Sequence, residues 1–502
     1  MKYQCYFGDI HNHCNASYAH GSLEDALKNA MLQLDFVSVT GHSSWPDIPE
    51  RTPPLESLVD YHTNGFEKLE KGWARFVETF HQYNKPGEFI CFPSYEIHSM
   101  ADGDYTVYFK NNNSSMFKPN SIQEFQNIVK NIHPEEDDAF LIPHHIAYKT
   151  GYRGVNWDTF CEATSPFIEI ISMHGCSESD QAGLPYLTGM GPRNGSNTMQ
   201  TGLKRGFHFG VTGSTDHHSS HPGSHGYGKA AVWAEDLTKE GIWSALKNRR
   251  CYAVTGDRII LEYFINDTFM GGVLPYTRER NIRLSVNGGD SLDYIEIIKN
   301  NRVIKRFNYT EYLSEAKTPT LKGKVFIEAG WGKNGFQNDW DIQIKLDKGT
   351  ILNVEPRLHG VDVIDPEQKH PHQYQFSSWS QKGSTIHLKT STRGNPTPLT
   401  NSNQGLCLEI EAGPEAVLSI NANKTEYKKS LQELCRRSDS FYLSRFLCGA
   451  VHIHRFIQEN EYKTEEIYTD TGEGLKEDFY YVRVRQRNGQ WAYSSPIWVG
   501  KS

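Results

Sequence analysis

The first half of the 502-residue chain repeats one local pattern, in which a short apolar run rich in Phe, Ile and Val leads directly into a polar cluster. Apolar runs of this length are typical of buried parallel strands. The helix-like segments between them include one at residues 22–33, with Ser22 as its expected N-cap. This alternation predicts a β/α barrel over residues 1–258, with the polar clusters meeting at one face. Examples of the pattern are LDFVSVT before GHSSW, EFICFPS before YEIHS, AFLIP before HHIAY, FIEIIS before MHGCSE and GFHFGVTGS before TDHHSS.

The second half of the chain has a different hydrophobic pattern. After about residue 258, short alternating strands are separated by turns such as Asn287-Gly288 and Asn488-Gly489. The pattern predicts an antiparallel β-sandwich domain over residues 259–502, with residues 428–456 as a candidate helical insertion. No Gly/Pro/Ser-rich linker separates the halves, so we expect them to share an interface.

Histidine is concentrated in the first half, where 16 of the 22 histidines lie within the first 225 residues. His11 and His13 stand one residue apart, and on a strand both imidazoles would project from the same face as a chelate. Other histidines, in helix-like or polar stretches, are expected at the surface. These are His62, His81 and His133.

The polar residues at the predicted strand ends form one chemical set, imidazoles and carboxylates without thiolates. Such ligands suit Zn, Mn or Fe(II), and a bridging carboxylate allows more than one ion, so the set predicts a multinuclear site. Strand alternation favours Asp216 with His218 over His217, and leaves His144 and His145 as open alternatives. The full set is His11, His13, His20, His42, Glu96, His98, His144, His145, Glu169, His174, Asp216, His217 and His218.

Composition excludes several classes of protein. A net charge of −8 and a pI near 6.3 argue against general binding to nucleic acid or to anionic membranes, which rests on basic surfaces. The beginning of the chain, MKYQCYFGDI, has no apolar signal region, and no stretch of about 18 apolar residues follows. Nine cysteines without C-x-x-C spacing do not indicate a disulfide framework. We therefore expect a soluble cytoplasmic protein.

The segment GDIHNHCNASYAHGSLEDALKNAMLQLDFVSVTGH, with the later Glu96, PHH and GSTDHH, resembles the PHP (polymerase and histidinol phosphatase) superfamily. The resemblance covers residues 1 to 258 and implies a metal-dependent phosphoesterase on a distorted (β/α)7 barrel. AVWAEDLTKEGIWSALKNRRCYAVTGDRIILEYFINDTFMGG and the later FYYVRVRQRNGQWAYSSPIWV are similar to the branch called domain of unknown function 3604. In that branch a β-domain follows the barrel.

The resemblance implies two or three divalent ions, Mn²⁺, Zn²⁺ or Fe²⁺, with Glu96 at the position of the family's bridging glutamate. The chain departs from the family pattern at Gly41, where Asp is usual, and at Asp104 and Tyr105, where relatives often carry a histidine. His98 is the candidate replacement there. The ligands that the resemblance implies are His11, His13, His20, His42, Glu96, His98, His144 or His145, Asp216 and His218.

The leading functional hypothesis is hydrolysis of a phosphomonoester or phosphodiester by metal-activated water. His174 or His217 is the candidate general acid, and Lys149, Arg153 and Arg193 are candidates to hold a small anionic or glycan-like substrate. Fold alone does not fix chemistry. One alternative is a metal-dependent lyase or esterase acting on a carboxylate-bearing or glycan substrate. A further alternative is a catalytically silent protein that binds a glycan or a partner.

Overall fold

The computed structural model describes residues 2–111, 115–132, 139–184, 190–309, 319–360, 376–394, 401–472 and 477–500. His133, expected at the surface, lies outside these ranges. Most of the described secondary structure is sheet, with few helices. Within the described ranges, no helix combines the length and hydropathy needed to cross a bilayer.

In the described parts of residues 1–258, helices separate groups of one to three strands. The helices are α1 (Leu23–Met31), α2 (Glu56–Tyr83), α3 (Ile122–Ile132), α4 (Met199–Lys204) and α5 (Lys239–Lys247). The strands are β1 (Gln4–Asp9), β2 (Phe36–Val37), β3 (Thr40–Ser44), β4 (Ile90–Cys91), β5 (Ser94–Ile97), β6 (Tyr105–Phe109), β7 (Ala139–Pro143), β8 (Phe167–Ser172), β9 (Gly175–Cys176), β10 (Gly210–Gly213), β11 (Lys229–Ala234) and β12 (Cys251–Val254).

Helix α1 begins where the sequence predicts. The Ser22 hydroxyl accepts from the Asp25 backbone N–H at 3.0 Å, and the Asp25 carboxylate accepts from the Ser22 N–H at 3.1 Å. This capping box satisfies two backbone donors that a helix start otherwise leaves unpaired. Leu23, Leu27 and Ala30 face the core, which fixes the helix against the sheet that carries the polar strand ends.

The expected (β/α)7 barrel is not what the structure shows. Parallel pairing joins β1 to β2, β2 to β4, β3 to β5 and β8 to β10, but β6 runs antiparallel to both β5 and β7. A parallel crossover needs a connection of about a dozen residues or more. The connection from Ile97 to Tyr105 is shorter, so it returns antiparallel.

The described parts of residues 259–502 consist mainly of strands. These are β13 (Ile260–Ile265), β14 (Thr268–Phe269), β15 (Val273–Pro275), β16 (Glu279–Asn287), β17 (Leu292–Lys299), β18 (Arg302–Asn308), β19 (Leu321–Trp331), β20 (Gln337–Leu346), β21 (Thr350–Leu358), β22 (Ser378–Lys382), β23 (Thr385–Arg393), β24 (Gln404–Ala412), β25 (Val417–Ala422), β26 (Thr425–Ser430), β27 (Asp439–Tyr442), β28 (Gly449–Ile453), β29 (Ile457–Gln458), β30 (Lys463–Thr471), β31 (Asp478–Gln486), β32 (Trp491–Ser494) and β33 (Ile497–Gly500). Two short helices interrupt them, α6 (Leu431–Arg436) and α7 (Glu459–Tyr462).

Two antiparallel sheets of this half pack face to face. One has the order β21-β24-β19-β28-β27 and the other β22-β23-β20-β25-β26. Alternating residues of both sheets, such as Leu408 and Ile342, share one hydrophobic core, which is the packing of a β-sandwich. The predicted helical insertion at 428–456 is largely wrong, because only α6 is helical there. The alternating burial of Val451 and Ile453 places that stretch in strand β28 instead.

A single large sheet joins the two halves of the chain, in the order β15-β33-β31-β32-β12-β11-β1-β2-β4. Strand β12 pairs with β11 on one side and with β32, about 240 residues later, on the other. The domain boundary at residue 258 stays a prediction. In the structure, residue 258 lies between strands β12 and β13, and both strands are paired with neighbours in a sheet.

A second link between the halves is a buried polar group that we call the junction cluster, formed by His225, Lys229, Asp257, Glu355 and Arg357. The Arg357 guanidinium lies 3.2 Å from carboxylate oxygens of both Asp257 and Glu355. His225 Nε2 lies 2.9 Å from Asp257, and Lys229 donates to the Gly256 carbonyl at 2.9 Å. All five side chains are buried, so these ion pairs and hydrogen bonds form inside the protein.

Candidate metal centre

The polar residues that follow six strands of the first half converge on one buried site. They follow or end β1, β3, β5, β7, β8 and β10, as the strand-end pattern predicts. Four groups of ligand atoms lie there, each with its atoms within 4.8 Å of one another. We call their members the histidine cluster: His11, His13, His42, Glu96, His98, Asp104, His144, His145, Asp216 and His218.

Glu96 stands at the centre of the histidine cluster. Its Oε2 lies 3.3 Å from Nε2 of both His11 and His13, and 3.5 Å from Nε2 of His42. Its Oε1 lies 3.2 Å from Nε2 of His144 and 3.1 Å from Nδ1 of His98. The two oxygens therefore face two different sets of imidazoles, which is the arrangement of a carboxylate able to bridge two ions.

Asp216 forms a second focus. Its Oδ1 lies 3.0 Å from Nε2 of His13, and its Oδ2 lies 3.0 Å from Nε2 of His174. The residue adopts a left-handed φ of 55°, which is uncommon for a non-glycine residue and marks a constrained backbone. Its N–H donates to the His11 carbonyl at 2.7 Å, which links the segment after β10 to the segment after β1.

The other ring nitrogen of several histidines is held by a neighbour, so that Nε2 faces the carboxylates. His13 Nδ1 donates to the Thr40 carbonyl at 2.6 Å. Such contacts fix the tautomer and the ring orientation of a metal-binding histidine. The corresponding contacts are His11 Nδ1 with Glu169 at 3.0 Å, His42 Nδ1 with the Ser17 hydroxyl at 3.1 Å and His144 Nδ1 with the Thr106 hydroxyl at 3.1 Å.

Asp104 also belongs to the histidine cluster, and it is paired with the guanidinium of Arg153. It lies 3.1 Å from His98 Nδ1 and 3.4 Å from His145 Nε2, and forms an ion pair with Arg153. The Arg153 guanidinium also lies over the Trp45 ring, 5.2 Å from its centroid. Arg153 therefore neutralises Asp104 in this structure, whereas the sequence predicts a substrate contact for it.

The electrostatics keep the carboxylates ionised. Burial opposes their charge, but His42, His144 and His98 hold the pKa of Glu96 well below its ordinary value. Burial likewise opposes the charge of Asp216, and His11 holds its pKa low. Ionised carboxylates are the form that binds a cation.

The histidines divide into two sets by pKa. Burial and the neighbouring His13 lower the pKa of His42 well below its usual range and that of His218 to about 3. Burial acts in the same direction on His11, but Asp216 and Glu169 raise its pKa well above the ordinary value. Neutral imidazoles such as His42 and His218 are in the form that donates to a metal.

The residues present fit divalent cations. His13 stacks on His42 with ring centroids 4.0 Å apart and lies 4.3 Å from His218, so several nitrogen lone pairs meet in a small buried volume. Polar atoms crowded in this way are costly to bury unless a cation or a proton satisfies them. Imidazole nitrogens and carboxylate oxygens are the donors that Zn²⁺, Mn²⁺ and Fe²⁺ accept.

Several predicted site residues are not members of the four ligand groups found among the described residues. His20 belongs to none of the four ligand groups. His217 is likewise in none of these groups: the Ser219 N–H donates to its Nδ1, its ring packs near His221, and its carbonyl accepts from the His13 N–H at 2.8 Å. Lys149 is exposed over the Tyr152 ring. Arg193 donates to the backbone carbonyls of Ser179 and Asp180. His174 is in contact with the cluster, because it meets Asp216.

Asp104 was not among the residues predicted for the site, and Glu169 was in the predicted strand-end set but not among the ligands that the family resemblance implies. Asp104 lies in the cluster itself, and its position just before β6, where relatives often carry a histidine, was the available signal. Glu169 lies inside strand β8 and contacts His11. A charged residue inside the apolar run FIEIIS was a signal as well, because a buried carboxylate needs a partner.

A group of rings, which we call the aromatic wall, borders the histidine cluster: Tyr18, Trp45, Tyr61, His62 and Phe66. Tyr18 stacks on His42 with centroids 3.8 Å apart, and Trp45 meets the His98 ring at 5.3 Å. His62 was expected at the surface, but it packs between Tyr18 and Trp45. Burial and the nearby His98 lower its pKa to about 4, so it is neutral near pH 7.

Comparisons with known proteins match parts of the chain. Residues 222–281 match the family described as "Protein of unknown function (DUF3604)". An uncharacterized protein of Chlamydia trachomatis is 29% identical over 172 residues, which cover 31% of this chain and 28% of that protein. A Chlamydia pneumoniae protein is 30% identical over 186 residues, covering 34% and 30%. The aligned region thus spans less than a third of these relatives.

A solved structure that resembles part of the chain is described as a two-domain protein containing a predicted PHP-like metal-dependent phosphoesterase from Bacteroides vulgatus. It covers 86% of this chain and 96% of its own, with 12% identity and a TM-score of 0.32. The part of the chain that matches the DUF3604 family, residues 222–281, contains His225, Lys229 and Asp257 of the junction cluster and begins four residues after His218.

Proposed function

We propose that the protein is a metal-dependent hydrolase of phosphoesters of the PHP type. The observation that carries the proposal is the position of Glu96, whose two carboxylate oxygens face separate sets of histidines. The order of motifs from His11 to His218, which resembles that superfamily, supports the same reaction class. When bound, divalent cations would polarise a phosphoryl oxygen and lower the pKa of a water molecule.

The protein's own residues have definable tasks in this reaction. Glu96 and Asp216 would hold the ions, together with His11, His13 and the other imidazoles of the histidine cluster. Glu169 orients the His11 ring from behind through Nδ1. Contacts of this kind raise the basicity of the ligand and fix its geometry.

His174 is the proposed proton donor to the leaving oxygen. Its Nε2 lies 3.0 Å from Asp216, its Nδ1 lies 2.8 Å from the Tyr148 hydroxyl, and it is partly exposed, unlike most of the histidine cluster. A group that is both tied to the ligand set and reachable from solvent suits general acid catalysis.

The test is metal analysis followed by a substrate screen. Protein purified without chelators is analysed for bound metals and then assayed, with Mn²⁺, Zn²⁺ or Fe²⁺ added back, on phosphomonoesters, phosphodiesters, carboxyl esters and uronate-containing glycans. We expect at least two ions per chain and turnover of a phosphoester that chelation abolishes. Turnover of uronate glycans alone would replace the proposal by a lyase, and bound metal without any turnover would favour a binding protein.

A further inference from the structure

Two neighbouring connections of the β-sandwich place large apolar side chains in solvent. One is the loop between β27 and β28, and the other is the connection between β19 and β20. They lie side by side, because Trp331 at the end of β19 pairs with Gly449 at the start of β28. We call their exposed apolar side chains the hairpin tip: Phe336, Tyr442, Phe446 and Leu447, which are 57%, 64%, 92% and 58% exposed.

The backbone of the loop between β27 and β28 holds two of these residues outward. The loop is closed at its base, where the Leu443 N–H donates to the Gly449 carbonyl at 3.0 Å. Leu447 adopts a left-handed φ of 59°, which is uncommon for a residue other than glycine. Phe446 leaves almost its whole ring in water, although the burial of such a ring is favourable. Exposed apolar groups that are presented in this way mark a surface that meets a partner.

The hairpin tip is surrounded by positive charge. Three connections of the sandwich meet at this end, and together they carry three cations and no aspartate or glutamate: residues 331–338 with Lys333, residues 391–394 with Arg393, and residues 440–449 with Arg445. The Lys333 Nζ lies 4.3 Å from the centroid of the Phe336 ring. This local charge contrasts with the net charge of −8 of the whole chain, so a negatively charged partner is attracted to this end rather than to the protein as a whole.

The shape of the hairpin tip favours a fluid partner over a rigid one. Stable protein interfaces bury about 800 Å² on each side, spread over roughly 20–30 residues. The hairpin tip has four apolar side chains, and Phe446 projects from the loop almost without contact to the rest of the chain. A bilayer closes around an inserted side chain without a preformed pocket, and anionic headgroups attract the lysine and arginine side chains beside it.

We propose that the hairpin tip docks the protein on an anionic lipid bilayer. Phe446 and Leu447 enter the boundary between headgroups and acyl chains, while Lys333, Arg393 and Arg445 meet the lipid phosphates. This inference does not depend on the proposed hydrolysis, because none of these residues belongs to the histidine cluster. The docking is reversible, since a few inserted side chains and cations bind far more weakly than a membrane-spanning helix.

Co-sedimentation of the full chain with lipid vesicles tests the proposal. We expect the dissociation constant for vesicles of equal parts phosphatidylcholine and phosphatidylglycerol to be lower than that for phosphatidylcholine alone by about tenfold or more, because each cation near the surface contributes about fivefold. Salt at about 1 M should remove most of this preference, because it screens the charges. Absence of binding to the mixed vesicles, or equal binding to both kinds, would overturn the proposal.

Two substitutions divide the apolar contribution from the charged one. We expect Phe446→Ser to weaken binding to the mixed vesicles about tenfold or more, and Arg445→Gln to weaken it about fivefold. Ile467→Ser is the matched control, because Ile467 is 71% exposed in strand β30, which belongs to another sheet. Circular dichroism checks that each variant is folded. Wild-type affinity in Phe446→Ser, or an equal loss in Ile467→Ser, would contradict insertion of the hairpin tip.

A second copy of the chain is the rival occupant, and sedimentation velocity without lipid distinguishes it. If the hairpin tip inserts into bilayers, wild type and Phe446→Ser should sediment alike over a range of protein concentrations. If wild type forms dimers that Phe446→Ser does not form, the hairpin tip is an interface between two copies and the bilayer proposal is wrong.

Discussion

The protein contains two buried clusters of ionisable side chains that differ in how their charges are balanced. In the junction cluster, the Arg357 guanidinium pairs with both carboxylates, Asp257 and Glu355, and the Lys229 ammonium donates to the Gly256 carbonyl. In the histidine cluster, Arg153 pairs with Asp104, but Glu96 and Asp216 are surrounded by imidazoles. The carboxylates of the first cluster are neutralised by a guanidinium of the chain, whereas those of the second lie among imidazoles that could hold cations with them.

This difference separates a structural role from a functional one. Removing one partner of a buried ion pair leaves an uncompensated charge and destabilises the fold. Removing a carboxylate that faces only imidazoles mainly removes a ligand. The predictions below use this contrast, because each compares a change in one cluster with a change elsewhere.

The largest effect on stability is expected at the junction cluster. Arg357→Met leaves Asp257 and Glu355 buried without their main cation, so we expect the free energy of unfolding to fall by about 3–5 kcal/mol. Denaturant unfolding followed by circular dichroism measures it. Arg283→Met, at an exposed pair with Asp267, is the control and should be nearly neutral. Similar small losses in both variants would show that the junction cluster does not hold the halves together.

Glu96→Gln should affect metal binding and turnover strongly and stability only slightly. We expect metal content to fall by more than one ion per chain and turnover to disappear, because the amide no longer bridges two sets of ligands. The midpoint of unfolding should change far less than in Arg357→Met. Glu328→Gln, where a glutamate pairs with His454 in the second half, is the control for metal content. A Glu96→Gln protein with its full complement of ions would contradict the bridge.

Metal uptake should release protons near neutral pH. Burial lowers the pKa of His11 and His98, but carboxylates around them raise both above the usual value, so a bound proton must leave before a metal binds. Metal affinity should therefore fall as pH is lowered through neutrality, by about tenfold per pH unit for each proton displaced. Calorimetric titration in two buffers of different ionisation enthalpy counts those protons. Identical heats in the two buffers would show that none is released.

The smallest effect is expected at His20, the predicted ligand that lies outside the four ligand groups. His20→Ala should lower metal content by much less than one ion per chain, measured beside His13→Ala, which should lose at least one. Loss of a whole ion from the His20 variant would mean that the loop carrying His20 closes onto the site when metal binds.

Much of the candidate site could be predicted from the sequence, because it depends on local features. An apolar run followed by His, Asp or Glu places a polar side chain at a strand end, as the contacts of His11, Glu96 and Asp216 illustrate. The orientation of His217 and the burial of His62 were harder to predict. Which of two adjacent histidines faces inward depends on the turn geometry of residues 216–220, and the burial of His62 depends on packing against Trp45.

The sheet order could not be predicted in the same way. Strand β12 pairs with β32 through partners such as Tyr252 and Ser494, and no local pattern encodes a pairing across so many residues. The expected barrel also required parallel neighbours throughout, whereas the short loop before Tyr105 sets β6 antiparallel to β5. Pattern and spacing thus predicted where the strands of the first half lie in the sequence better than they predicted which strands pair with each other.

The pairing of β12 with β32 has a consequence for synthesis of the protein. Synthesis of β12 ends at residue 254. Its second neighbour, β32, is present only after residues 491–494 have been translated. At about 5–20 residues per second, that interval lasts on the order of 10 to 50 seconds on the ribosome. During it, the growing chain carries an open strand edge of the kind that other chains can pair with. We therefore expect a chain truncated before residue 491 to leave one edge of β12 unpaired and its first half prone to aggregation.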